Sequence, residues 1–275
     1  MKTMIAGLAF AFTIAATATA TFAQPVAFPP NAMGVNMGHW HLNSKDPAVN
    51  KKFFVTLGGR VIKRGDNEVV LFPGVVIFLT RGQPGTAPTG GTAGTVVNHV
   101  GFVVQNVQES LAKWKAAGIQ VEPSASGRLD QAYIDTPDGL RIEILEDKNQ
   151  PWPIRNEHIH FSATESEIPK VQAWYAKEFG GHAWTRNNAP VVELPGVQLR
   201  FAKADKAQLP TAGHTLDHIG FDVKNLDAFL KRLQADGVKI ERPINKNAQT
   251  GAALAFVSDP WGTMIELNDR PEPIQ

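Results

Sequence analysis

Apolar and polar positions follow a repeating order along this chain, which is clearest from residue 98 onward. Residues 98–104 alternate between apolar and polar or small side chains, the period of two expected for a strand with one buried face. Apolar Val107, Leu111 and Trp114 then recur at helical spacing, and Gly118 follows as a helix-ending residue. This order predicts a strand followed by an amphipathic helix.

Three shorter strand patterns follow that helix, at residues 119–122, 131–135 and 140–145, and a Pro-Asp-Gly turn separates the last two. The predicted unit is therefore β-α-β-β-β. The same order of elements recurs along the sequence, so that four such modules fill the chain. The predicted fold class is α+β.

The two halves of the chain are also related in sequence, because residues 38–147 recur as residues 157–269. Two pairs of matching His residues are each 119 residues apart (160 − 41 and 218 − 99). The matching positions are His41 and His160, His99 and His218, and Glu143 and Glu266. Gene duplication is the simplest account of this repeat.

The repeat and the proline-containing segment between its copies set the expected domain boundaries. We expect a signal peptide at 1–23, an N-terminal linker at 24–36, a first domain at 37–148, a linker at 149–156, a second domain at 157–270, and a tail at 271–275.

The first residues have the order of a secretory signal peptide. Lys2 precedes an apolar run over 4–16, and small residues lead to Ala23. The run is shorter than the roughly 20 apolar residues of a transmembrane helix. We therefore expect a periplasmic or secreted protein, cleaved near Gln24, with no stable membrane association afterwards.

Charge and cysteine usage narrow the expected partners. The chain has a formal net charge of +1, and removal of the leader takes away Lys2 alone among charged residues. Such a balance, without a basic run, gives no reason to expect nucleic acid as a partner. The sequence contains no cysteine, so His and carboxylate side chains are the available metal ligands, and a small molecule is the expected substrate.

Paired β-α-β-β-β modules, with a His on the first strand and a Glu on the last strand, resemble the vicinal oxygen chelate superfamily. Its members include glyoxalases, extradiol ring-cleaving dioxygenases, epimerases and metal-free bleomycin-binding proteins. The resemblance covers nearly all residues after the leader. It implies modules paired into two glyoxalase-like domains, with U-shaped sheets around metal clefts, and four joined modules most resemble the extradiol dioxygenases.

The resemblance also implies the metal ligands. They would be His41, His99 and Glu143 in the first half, and His160, His218 and Glu266 in the second half. Strand alternation supports this placement, because packing Val100 and Phe102 under the helix turns His99 to the opposite face. In the resembling dioxygenases the C-terminal half keeps the metal. We therefore expect the second set to be competent, and the first to be a second site or a vestige.

A fourth converging position in such folds falls on Phe78 and Arg200, neither of which supplies a carboxylate ligand. Two His and one carboxylate with open positions are typical of Fe(II) oxygenases and are tolerated by Mn(II), Co(II) or Zn(II). The expected cofactor is therefore a divalent metal, with Fe(II) favoured. Arg200 could hold an anionic substrate group or replace the metal.

The extradiol signature is only partly present. Tyr133 occupies its tyrosine position in the first half, but the second half has Phe256 there, and neither half has the upstream His. That His would be the acid/base partner of a catecholate, so its absence argues against ordinary catechol cleavage. The remaining candidate catalytic residues are Arg200, Tyr133, His39 and His158.

His39 and His158 lie two residues before proposed ligands and so on the same strand face. They could support the ligands, shuttle protons or be the true ligands. Asn106 and Asn225 are expected to be helix N-caps. The sequence as a whole favours a metal-dependent dioxygenase, isomerase or lyase acting on a small oxygen-chelating molecule. The alternative is a non-catalytic protein that sequesters a small molecule in the manner of bleomycin-resistance proteins.

Overall fold

The computed structural model describes residues 28–64, 67–82 and 90–270. The leader predicted at 1–23 and the tail predicted at 271–275 lie outside these ranges. Within them, no helix has both the length and the apolar character needed to cross a membrane.

The first half of the chain forms two β-α-β-β-β modules. Module 1 contains β1 (Val35–Ser44), α1 (Pro47–Leu57), β2 (Arg60–Arg64), β3 (Asn67–Phe72) and β4 (Val75–Arg81). Module 2 contains β5 (Val97–Val104), α2 (Val107–Ala116), β6 (Glu122–Pro123), β7 (Gln131–Asp135) and β8 (Arg141–Glu146).

The second half repeats this order. Module 3 contains β9 (Ile154–Ala163), α3 (Ile168–Phe179), β10 (His182–Arg186), β11 (Ala189–Leu194) and β12 (Val197–Lys203). Module 4 contains β13 (Leu216–Val223), α4 (Leu226–Ala235), β14 (Lys239–Lys246), β15 (Ala253–Ser258) and β16 (Met264–Asp269). The predicted α+β class and the four modules are thus confirmed.

The helices begin where the sequence predicts side-chain caps. Asn106 accepts a hydrogen bond from the backbone N–H of Glu109 at 3.1 Å, and Asn225 accepts one from Ala228 at 3.2 Å. Both N-cap predictions are confirmed, since each side chain satisfies a donor that the first helical turn leaves unpaired.

The modules combine into two eight-stranded sheets, and each sheet contains one module from each half. The first sheet has the order β14-β15-β16-β13-β1-β4-β3-β2, which joins module 4 to module 1. The second has the order β10-β11-β12-β9-β5-β8-β7-β6, which joins module 3 to module 2. The central pairs, β1 with β13 and β5 with β9, are antiparallel.

This pairing differs from the expectation that each half closes around its own cleft. Only a short connection separates β8 from β9, and elements joined by short connections are usually neighbours. Module 3 therefore pairs with module 2. Module 1 then pairs with module 4, which is farthest from it in sequence.

The helices pack on one face of the sheets, and the His and Glu side chains of interest lie on the other face. Trp40, Trp114, Tyr175 and Phe179 are among the largest fully buried side chains of the apolar core. Trp40 lies between His39 and His41 on β1, so strand alternation turns both His side chains away from this core.

Candidate metal centre

Four side chains of the first sheet converge on one point, and we call them the first cluster: His39, His41, His218 and Glu266. Each offers one ligand atom, and these atoms lie within 4.8 Å of one another. The Glu266 Oε2 atom is 3.0 Å from His218 Nε2 and 3.5 Å from His39 Nε2. This is the spacing of groups that can share a single ion.

Strand register brings the first cluster together. His41 pairs directly with His218 across β1 and β13, while Gly220 pairs with His39 on one side and with Glu266 on the other. Irregularities in the β1–β13 register occur on both sides of the segment from His39 to His41. The three strands thereby direct four potential ligands to one side of the sheet.

Gly220 is needed for this arrangement because of space. A Cβ atom at this position would lie 2.0 Å from Cε1 of His39, which no packed structure tolerates. The backbone of Gly220 is not in the left-handed region, so its conformational freedom is not the reason for the glycine. The missing side chain lets the His39 ring pack directly against Gly220 of β13.

The protonation states in the first cluster suit a cation. Burial, His218 and His39 together lower the pKa of His41 to about 3, and burial also lowers the pKa of His39. Burial alone would raise the pKa of Glu266, but His39 and His218 outweigh it and lower this pKa. At neutral pH the cluster therefore contains an ionised carboxylate beside the neutral rings of His39 and His41.

A second carboxylate contacts the His218 ring at Nδ1, the nitrogen that does not face Glu266. Its Nδ1 lies 2.6 Å from Asp217 Oδ1. Burial lowers the pKa of His218, but the hydrogen bonds to Asp217 and Glu266 outweigh burial and leave the pKa raised. A carboxylate on the far nitrogen of a His fixes the ring and increases its basicity, as is common for metal-bound His.

The second sheet carries a related group, the second cluster: His99, Glu143, His158 and His160. Ligand atoms of the first three lie within 4.8 Å of one another. His160 Nδ1 lies 3.0 Å from His99 Nε2. Glu143 Oε2 is 3.3 Å from His99 Nε2 and 3.1 Å from His158 Nε2.

The carboxylate of the second cluster already has several protein partners. Gln131 and Tyr133 both donate hydrogen bonds to Glu143 Oε1. Arg200 lies 3.8 Å from Glu143 Oε2, and its guanidinium donates to both oxygens of Glu157. The second cluster thus has a guanidinium close to its carboxylate.

The sequence-predicted ligands are all present in these clusters, but in a different grouping. His41 lies with His218 and Glu266, whereas His160 lies with His99 and Glu143. The expectation of one ligand set within each half differs from the structure because modules pair across the halves. His39 and His158, which the sequence left open, are almost fully buried inside the clusters.

Two further candidate catalytic residues lie next to the second cluster. Tyr133 and Arg200 both contact Glu143, so Arg200 lies beside a carboxylate of the first half and not beside the expected second-half set of His160, His218 and Glu266. Its counterpart Phe78 lies in the first sheet, stacked on His41 with ring centroids 5.7 Å apart. The neighbouring residues of the two clusters therefore differ more than their His and Glu residues do.

A cavity of about 230 Å³ opens beside the first cluster. Its lining includes His39, His41, Phe78, Thr80 and Glu266. A larger cleft of about 780 Å³, next to Trp174 and Trp261, contains no His. We assign the chemistry to the smaller cavity, because the convergent donors line it.

Fold and donors together define a class of protein: four β-α-β-β-β modules in two mixed sheets, with His and carboxylate donors on the face opposite the core. Residues 155–267 match the sequence model of the Glyoxalase/Bleomycin resistance protein/Dioxygenase superfamily. The match covers most of the second half of the chain, and the described chain has the glyoxalase-like fold. The resemblance inferred from the sequence is confirmed.

Solved structures agree with this fold. Glyoxalase I from Zea mays superposes with a TM-score of 0.66 at 16% identity, covering 86% of this chain and 92% of that one. A proposed dioxygenase from Bacillus subtilis subsp. subtilis str. 168 superposes with a TM-score of 0.63 at 15% identity, covering 86% of each chain. A comparison with curated protein sequences gave no match. At these identities the likeness concerns the fold alone.

Proposed function

We propose that this protein is an exported metal-dependent enzyme of dioxygenase, isomerase or lyase type, acting on a small oxygen-chelating substrate. The observation that carries the proposal is the first cluster, in which His39, His41, His218 and Glu266 point their donor atoms at one position. The leader at 1–23 supports export to the periplasm or beyond.

The donors of the first cluster fit a divalent metal. They are buried or half-buried, and Nδ1 of His39 has no hydrogen-bond partner among the described residues. Three imidazoles and one carboxylate suit Fe(II), which we favour, and also Mn(II), Co(II) or Zn(II). A six-coordinate ion held by four protein ligands would keep two positions for the two oxygens of a chelating substrate.

Charge balance favours the first cluster over the second. Glu266 and Asp217 place two carboxylates around the His rings of the first cluster. In the second cluster Asn98 replaces Asp217 beside the His ring, and Arg200 neutralises part of the acidic charge. Arg200 lies 3.8 Å from Glu143, whereas among the described residues no guanidinium nitrogen lies within 4.0 Å of Glu266, so a divalent ion would meet less repulsion beside the carboxylate of the first cluster.

The metal would supply Lewis acidity toward the substrate oxygens, and the chain would supply position and shape. Asp217 holds the His218 ring in place through Nδ1. Phe78 packs edge-on against His39 at 5.0 Å, and Phe256 packs edge-on against His218 at 5.2 Å. The two rings thus place apolar surface against His39 and His218, and Phe78 also lines the cavity beside the first cluster.

The test is metal analysis of the protein purified from the exported fraction, together with its intact mass. We expect a mature chain that starts near Gln24 and contains bound metal. His218→Ala should lose most of this metal, because it removes a ligand, and the matched His99→Ala should keep it. Unchanged metal content in His218→Ala would refute the metal site, and retention of residues 1–23 in the exported form would refute the cleavage.

A further inference from the structure

Thr80 on β4 contacts the first cluster without belonging to its set of His and carboxylate donors. Its Oγ1 atom lies 2.8 Å from Nε2 of His41. The side chain is half-buried and lines the cavity beside the cluster. Thr80 follows Phe78 by two positions on β4, so strand alternation puts both side chains on the sheet face that carries His41. The hydroxyl is therefore part of the cavity wall and a partner of one proposed ligand.

This contact bears on which nitrogen of His41 can bind an ion. A neutral imidazole has one N–H and one lone pair, so a ring that binds a metal through one nitrogen carries its proton on the other. A metal-bound His usually donates that N–H to an oxygen acceptor. Because Nε2 lies at hydrogen-bond distance from Thr80, the nitrogen that remains for the ion is Nδ1. Asp217 has the corresponding contact with His218, but there at Nδ1.

Stacking alone would leave the His41 ring free to flip. Phe78 lies against the face of this ring, with an interplanar angle of 13° and centroids 5.7 Å apart. Rotation of the ring by 180° preserves the stack, and the last torsion of a His side chain has broad, roughly two-fold preferences. A hydrogen bond at Nε2 distinguishes the two orientations, because a flipped ring would present the carbon Cε1 to Thr80 instead.

The second sheet contains the matching ring without the hydroxyl. His160 matches His41, and Ala202 takes the place of Thr80 on the neighbouring strand. Nδ1 of His160 lies 3.0 Å from Nε2 of His99, so Nδ1 is the nitrogen by which this ring faces its cluster. Ala202 has no side-chain acceptor for the other nitrogen. The repeat therefore provides the His in both sheets and the hydroxyl only beside the first cluster.

We propose that Thr80 is a positioning residue that accepts the Nε2–H of His41 and so leaves the Nδ1 lone pair for the metal of the first cluster. This inference rests on the proposed function, because it concerns one ligand of the same metal. Thr80 acts through His41 and does not itself bind the ion. The ring is then oriented and protonated for binding before the ion arrives, as a supporting hydrogen bond to a ligand provides.

The first experiment determines the tautomer of His41 by NMR in the mature protein with isotope-labelled histidine, both without metal and loaded with Zn(II). Long-range proton–nitrogen spectra show which nitrogen carries the proton, and the signals of His41 are those lost in metal-free His41→Gln. We expect Nε2 to carry the proton in both forms and Nδ1 to bind Zn(II). A proton on Nδ1 in the metal-free protein, or Zn(II) bound through Nε2, would overturn the inference.

The second experiment measures Zn(II) affinity by competition with a chelator of known affinity. Thr80→Val replaces the hydroxyl with a methyl group of similar size and should weaken binding about tenfold to a hundredfold, the usual effect of removing the hydrogen-bond partner of a ligand. Thr80→Ser keeps the oxygen and should restore most of the affinity. Ala202→Thr is the matched control, because it adds the hydroxyl beside His160 in the other sheet and should leave the affinity of the first cluster unchanged.

The outcomes separate the role of Thr80 from the proposed function. Wild-type affinity in Thr80→Val, or a loss that Thr80→Ser does not relieve, would overturn the role of Thr80 and leave the metal site standing. Wild-type protein that binds no divalent metal would overturn the proposed function, and the tautomer of the metal-free protein would still show whether Thr80 holds the His41 ring. The two failures are thus distinguishable.

Discussion

At the scale of single residues, two glycines decide how close the His rings come to the neighbouring strand. Gly220 faces His39 and Gly101 faces His158, and in both cases an added Cβ would lie 2.0 Å from Cε1 of the ring. Both glycines follow a cluster His by two positions, in His218-Ile219-Gly220 and His99-Val100-Gly101. Both copies of the repeat thus keep the glycine together with the His ring that packs against it.

Gly220→Ala should displace the His39 ring and weaken metal binding at the first cluster. We expect an affinity loss of about tenfold or more, the usual effect of disturbing a ligand or its support. Gly101→Ala is the matched control, because it crowds His158 in the second cluster and should leave metal affinity unchanged. Competition with a chelator of known affinity measures both. Equal metal affinities in the two variants would mean that His39 does not contribute to binding.

At the scale of elements, a buried tyrosine fixes helix α3 to the turn before β16. The Tyr175 hydroxyl donates to Asp259 Oδ2 at 2.8 Å, and both side chains are buried. Asp259 Oδ1 accepts the backbone N–H groups of Trp261, Gly262 and Thr263. One carboxylate therefore shapes the Pro-x-Gly turn that leads to Glu266 and joins it to a helix of module 3.

This contact predicts a defined response to alkaline pH. Burial and Asp259 raise the pKa of Tyr175 well above its usual range, so the folded state keeps the proton where the unfolded state loses it. The stability from this group is fully present below about pH 10 and falls by about 1.4 kcal/mol per pH unit above it. Tyr175→Phe lacks this loss, although at pH 7 it should be less stable by about 1–3 kcal/mol.

Urea unfolding of both proteins between pH 7 and pH 11 measures the effect. The difference in unfolding free energy between wild type and Tyr175→Phe should be constant up to about pH 10 and should then shrink. A constant difference across the whole range would show that Tyr175 ionises equally in the folded and unfolded states.

Sequence patterns predicted the elements well because the physics of each element is local. Strand alternation placed His99 and His218 opposite the core, and the asparagine caps marked the starts of two helices. All six ligands proposed from the sequence lie in one of the two clusters. The neutralisation of Arg200 by Glu157 was missed, because it depends on contact between β9 and β12, which are distant in sequence.

At the scale of the whole molecule, the sequence repeat does not determine which modules pair within a sheet. His99 and His218 occupy equivalent positions on β5 and β13, so either strand beside β1 would present a His opposite His41. Both arrangements bury the same alternating apolar positions. Sequence similarity between the halves therefore leaves the pairing undecided, and the connection lengths decide it.

Each cluster takes its ligands from both halves of the chain. Cutting the chain in the linker should therefore separate the ligands of each cluster from one another instead of releasing two independent domains. The first cluster takes His39 and His41 from module 1 and takes His218 and Glu266 from module 4. The second half alone also leaves β9 and β13 without their antiparallel partners, β5 and β1. Exposed edges of this kind are templates for pairing with another strand.

We therefore expect residues 157–270, produced alone, to be either unfolded or a dimer in which β9 of one copy pairs with β13 of the other. Co-expression with residues 28–148 should restore one folded complex with wild-type metal content, since all strand pairs can then form. Size-exclusion chromatography with light scattering and metal analysis distinguish these states. A folded, metal-containing monomer of residues 157–270 would contradict the crossed pairing, because in such a monomer His158 or His160 would have to meet His218 and Glu266 within one half.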